Sequence, residues 1–163
     1  MSNQDHTIRD DEAELGLIGS LICPEAAQRL NEAKEAGLQA EYFYSAVHRS
    51  VYVTIADLIR QIGELDVQGF LARLQDEPGF ETPEARRRYL EQVATPTSFN
   101  AGWFARRIVV AYQRREAVRL LDEQRERLAA PGSDVAAVVD TMRQRLAKLL
   151  PIDADVEARG ERT

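Results

Sequence analysis

A chain of 163 residues with 44% hydrophobic content is long enough to bury one core, and its length favours a single domain with an appendage. A formal net charge of -6 argues against a protein that works mainly by coating nucleic acid, because phosphate binding needs a concentrated basic surface. No run of about eighteen apolar residues occurs, residues 1–11 are polar and acidic, and the single cysteine, Cys23, can form neither an internal disulfide nor a Cys-rich zinc site. The expectation is a cytoplasmic protein with no membrane span and no signal peptide. The average charge hides an asymmetry: residues 1–82 hold six basic and fifteen acidic side chains, residues 83–163 fifteen basic and twelve acidic. An Arg-rich half can face an acidic partner or a phosphate backbone, although interleaved Arg and Glu more commonly mark a solvated helix face.

Residues 1–10 read as a loose leader. Asp10-Asp11-Glu12 then supplies negative charge where a helix start favours it, and Leu15, Ile18, Leu21 and Ile22 follow at helical spacing. Gly16 and Gly19 inside that helix are costly unless another backbone packs closely, so they predict a tight crossing. Pro24 suits the first turn of a second helix, with Ala26, Ala27, Leu30 and Ala33 apolar and Gly37 as its stop. After Tyr42-Phe43-Tyr44, Ser45 caps a helix running to Gly63, whose predicted buried stripe is Val47, Val51, Ile55, Leu58 and Ile62. Asp66 caps a short helix with Val67, Phe70, Leu71 and Leu74 inward, ended by Pro78-Gly79. Thr82-Pro83-Glu84 opens another, carrying Tyr89, Leu90 and Val93.

The breaker pair Thr95-Pro96 precedes about thirty residues without proline, and a helix from about Phe99 to Leu128 would be roughly 45 Å long. Its first half is apolar over a wide arc (Trp103, Phe104, Ile108, Val109, Tyr112), whereas its second half keeps a narrow seam of Ala117, Val118, Leu121 and Leu128. Pro131-Gly132-Ser133 turns the chain into a last helix with Val135, Val138, Val139, Met142, Leu146 and Leu149 at the spacing used between paired helices, closed by Pro151. No sustained period-two alternation appears, so the expected fold class is all-α: a compact multi-helix head followed by a long projecting helical hairpin. The predicted organisation is leader 1–10, head 11–97, hairpin 98–150 and a charged tail or linker 151–163.

Catalytic chemistry requires a nucleophile with its base, a metal cluster or a glycine-rich phosphate loop. None is recognisable: there is no G-x-x-x-x-G-K-[ST], G-x-S-x-G, H-E-x-x-H or C-x-x-C. His48 has no second ligand at metal spacing and reads as a packed, hydrogen-bonded residue, while His6 lies in the leader. The acid pairs Glu12 with Glu14 and Asp122 with Glu123 sit in stretches that look solvent-facing. The expectation is no catalytic, cofactor or metal site.

Four stretches resemble the N-terminal domain of the DnaB family of replicative helicases. Residues 13–21, AELGLIGSL with Gly19, are similar to its A-E-x-x-V-L-G-x-L helix, and residues 43–52, with Phe43, Tyr44, His48 and Arg49, to its F-Y-x-x-x-H-R-x-I-F segment. Residues 66–74 resemble the short helix that follows. Tyr89-Leu90, Pro96, Asn100, Phe104 to Val109 and Arg115 resemble the Y-L…P…N…Y-A-x-x-V…R block. Glu84 to Arg88 stand where the family usually has Gly-Gly, and Gly69 offsets a hydrophobic position, so the local turn there is expected to differ. The family's ATPase domain has no counterpart in this chain, which is therefore expected to be a free-standing relative or an isolated domain.

The resemblance implies a non-catalytic module for oligomerisation and primase or partner docking in DNA replication, of the kind that forms a collar above a helicase motor. Alternatives are a stand-alone regulator, such as one from a mobile element, that binds a resident helicase or primase, and an Arg-rich DNA-binding module. The expected partners are a homodimer or higher homo-oligomer and a replicative helicase or primase, with DNA touched only indirectly or weakly and no membrane. Two narrow seams cover each other only partly, which assigns self-association to Val118, Leu121, Leu128, Val138, Met142, Leu146 and Leu149. Arg114, Arg115 and Arg119 are candidate rim contacts to a partner.

Overall fold

The computed structural model describes residues 8–94 and 100–149. Regular structure among them is entirely helical: α1 (Asp11–Leu21), α2 (Ala26–Glu35), a single 3-10 turn (Ala40–Tyr42), α3 (Ala46–Ile62), α4 (Val67–Leu74), α5 (Pro83–Val93), α6 (Ala101–Ala129) and α7 (Val135–Leu149). The expected all-α class is the one found. The chain divides into two compact units, the first ending at Tyr112 and the second beginning at Gln113, so that α6 contributes to both. The leader as far as Thr7, the Thr95-Pro96 breaker and the tail from Leu150 lie outside the described residues.

Local signals set the helix boundaries. The carboxylate of Asp10 accepts from Ala13 N, Ser45 Oγ from His48 N, Asp66 from Gln68 N and Gly69 N, and Thr82 Oγ1 from Ala85 N with Pro83 in the first turn. Each satisfies a backbone N–H that a helix start leaves without an internal partner. Gly63 ends α3 at φ 90°, in the left-handed region where glycine carries no Cβ penalty, and Gly132 turns between α6 and α7 at φ 77°. The segment Glu84 to Arg88, where the family pattern has a glycine pair, is continuous helix inside α5.

The core of the first unit gathers Leu17, Ile18 and Leu21 of α1, Leu30 of α2, Phe43, Ile55 and Leu58 around α3, Phe70 and Leu74 of α4, and Phe104 and Ile108 of α6. Helix α1 lies at its centre, packed against α2, α3 and α5. Its glycines make this possible, as predicted. A Cβ at Gly19 would run into the carbonyl of Val93, and one at Gly16 into the ring of Phe104, so α5 and α6 come in against bare backbone.

Several expected positions differ. Val47 and Ile62 are exposed because they fall in the terminal turns of α3; Val51, Tyr52, Thr54, Ile55, Leu58 and Ile59 form its buried side. Val67 is exposed as the residue directly after the Asp66 cap. Helix α2 starts at Ala26 rather than at Pro24. Cys23 is half-buried, donating from Sγ to Ser20 O.

Candidate oligomerisation and docking surface

The residues of the F-Y-x-x-x-H-R segment are organised by a side chain that its sequence neighbourhood disguises. Glu14, expected at the surface, is buried. It projects from α1 into the turn before α3, where its carboxylate accepts from Tyr44 N at 2.6 Å, Ser45 N at 3.2 Å and His48 Nδ1 at 2.9 Å. A buried carboxylate is tolerable only when such donors replace water. Phe43 is buried against Tyr52, and Arg49 donates to Phe43 O at 3.1 Å, tying the same turn from the other side. The His48 ring stands 6.0 Å from the Tyr89 ring, and burial, reinforced by the nearby Glu14 charge, pushes the Tyr89 hydroxyl far above its usual pKa. Gly19, Phe43, Glu14, His48 and Arg49 thus act in packing α1 against α3 and α5, while the Tyr44 side chain is exposed.

A second tie fixes the root of α6. Asn100 Oδ1 accepts from Trp103 N at 2.8 Å, and Arg107 makes paired hydrogen bonds to Asp10 at 2.7 and 2.8 Å while its guanidinium lies 4.6 Å from the Trp103 ring centroid. Asp10 therefore caps α1 and anchors α6 with one carboxylate.

The second unit is built differently. In it Leu120 is the buried hydrophobic residue among those described, with Gln124 buried one turn later, and α7 has no buried residue. Val118, Leu121 and Leu128, expected to serve self-association, are exposed at 47%, 49% and 40%, whereas Leu120 is buried on the face of α6 from which Gln113 reaches α7. On α7, Val135 and Val139 are exposed at 58% and 46%, while Val138, Met142, Leu146 and Leu149 are half-buried. The two helices are joined by Gln113 Nε2 donating to Leu149 O at 2.8 Å and by Arg145 paired with Glu123 at 3.0 Å.

The Arg residues of this unit are largely matched by carboxylates. Arg119 pairs with Glu116 at 2.6 Å and approaches Glu123 at 3.9 Å, Arg127 reaches Glu123 at 3.3 Å, and Arg143 reaches Asp140 at 2.9 Å. Of the candidate rim residues, Arg119 is committed to those acids, Arg115 is half-buried, and Arg114 is exposed without an ion pair among the described residues. Among the described residues no group of His, Cys, Asp or Glu side chains forms a metal site, and no helix is long and apolar enough to cross a membrane.

Residues 7–109 match the family model described as DnaB-like helicase N terminal domain. The chain belongs to that family. The match takes in the first unit, from the start of α1 to the root of α6, and so includes Glu14, the His48 turn and Asn100. The structure is similar to the crystal structure of the N-terminal domain of DnaB helicase from Mycobacterium tuberculosis, with a TM-score of 0.61, 26% sequence identity, and coverage of 86% of this chain and 97% of that one. No curated protein sequence matches the chain. The family match on the helical head and the likeness in fold place this molecule among helicase-associated N-terminal domains.

Proposed function

We propose that the protein is a non-catalytic scaffold of the DnaB N-terminal type, which self-associates through α6 and α7 and docks a replicative helicase or primase in the cytoplasm. The observation that carries this reading is the apolar imbalance among the described residues of the second unit: Val118, Leu121, Leu128, Val135 and Val139 are exposed, against one buried hydrophobic side chain, Leu120. A soluble helix pair with that distribution gains most by covering its outer faces with a like surface, and an isologous contact between copies does so with one patch. Val138, Met142, Leu146 and Leu149 flank the seam and would complete the covering. Arg114 would sit at the rim of such a contact. The mutual neutralisation of Arg119, Arg127, Arg143 and Arg145 by acids favours a solvated face over a phosphate-binding one.

Pull-down from the native host with Leu121→Asp/Leu146→Asp beside the unchanged chain tests the docking half of the proposal. Recovery of a helicase or primase with the unchanged chain supports it. Recovery of neither, with a folded and self-associating chain, removes it.

A further inference from the structure

Helix α7 has no buried residue. Among the described residues its ties to α6 include an ion pair, Arg145 to Glu123, both partly exposed, and a hydrogen bond, Gln113 to Leu149 O. Isolated helices of about this length are marginal in water, so α7 depends on its seam for stability. On α6, Gln124 is 1% exposed, and neither its Nε2 nor its Oε1 has a hydrogen-bond partner among the described residues. An amide removed from water without partners opposes the packing that buries it. Leu120 and Gln124 lie one turn apart on the face of α6 from which Gln113 reaches α7.

We propose that Gln124 keeps the docking of α7 reversible, making α7 the helix that opens while the first unit stays closed. A polar side chain at one seam position is a known means of giving up stability for control over how helices pair. Leucine at this position would fill the same volume and strand nothing. This inference concerns a single copy and does not require the self-association proposed above.

Amide hydrogen exchange on the full chain, followed residue by residue at both low and high micromolar concentration, tests it. The proposal expects the amides of α7 to exchange at least about a hundredfold faster than those in the middle of α3, which packs in the larger core. Gln124→Leu should slow α7 about tenfold or more, the factor attached to one unmade buried hydrogen bond, and leave α3 unchanged. Gln124→Glu, which places a charge in the seam, should accelerate α7. Loss of concentration dependence would count against self-association and not against this inference, provided the Gln124→Leu effect persists at the lowest concentration. Protection of α7 equal to that of α3, or exchange unaltered by Gln124→Leu, would overturn it.

Discussion

Replacing Glu14 by alanine removes the acceptor for three donors at once: Tyr44 N, Ser45 N and His48 Nδ1. Hydrogen bonds to a charged group contribute about 1.5–3 kcal/mol each, but these three share one carboxylate and are not additive. A loss of about 3–5 kcal/mol is therefore expected for Glu14→Ala, corresponding to a fall in Tm of about 10–20 °C for a chain of this size. Glu14→Gln retains one acceptor oxygen and the side-chain volume, so it should lose roughly half as much. Urea denaturation followed by circular dichroism measures both, with Glu12→Ala as the control, since the Glu12 side chain is 79% exposed and among the described residues pairs with Arg107 at the surface. If Glu14→Ala behaved like Glu12→Ala, with a loss under about 1 kcal/mol, the assignment of Glu14 as the pin between α1 and α3 would be wrong.

The remaining expectations concern the packing of α1, the α6 anchor and the cysteine. Gly19→Ala places a methyl against the Val93 carbonyl, which is backbone and cannot rotate away, and should destabilise by about 2–4 kcal/mol; a neutral result in thermal denaturation would deny the close crossing. Arg107→Ala gives up the paired hydrogen bonds to Asp10 and the face of Trp103, at a cost of about 1–2 kcal/mol, with the Trp fluorescence shifting as the ring loses its cover. Burial pushes the Cys23 thiol above its ordinary pKa, so less thiolate is present at pH 8 and alkylation by iodoacetamide should be slower than for a free thiol until denaturant is added; equal rates before and after unfolding would contradict this.

How far the fold could be read from sequence depended on whether a signal was local. Ser45, Asp66 and Thr82 each cap within three residues of their own position, and Gly63 and Gly132 mark stops that need a left-handed residue, so those boundaries were legible. Glu14 was not, because it stands beside Asp11 and Glu12 in an acidic first turn and its partners lie 30 to 34 residues away. Leu120 and Leu121 are consecutive, separated by about a hundred degrees around the helix, and nothing local to them decides which is buried. Gly16 and Gly19, by contrast, carried a long-range message, since glycine within a helix has a cost that a close crossing explains. The candidate surface was the least legible part. One sequence specifies only that Val118, Leu121 and Leu128 recur on a helix, and the partner proposed to cover them leaves no local mark in it.

The central claim is that this chain pairs through α6 and α7, and multi-angle light scattering across a concentration series tests it most directly. The unchanged protein should have the mass of a dimer or higher oligomer. Leu121→Asp/Leu146→Asp should reduce it to a monomer while the unfolding of the first unit stays the same. A monomeric mass for the unchanged chain at high micromolar concentration would contradict the account.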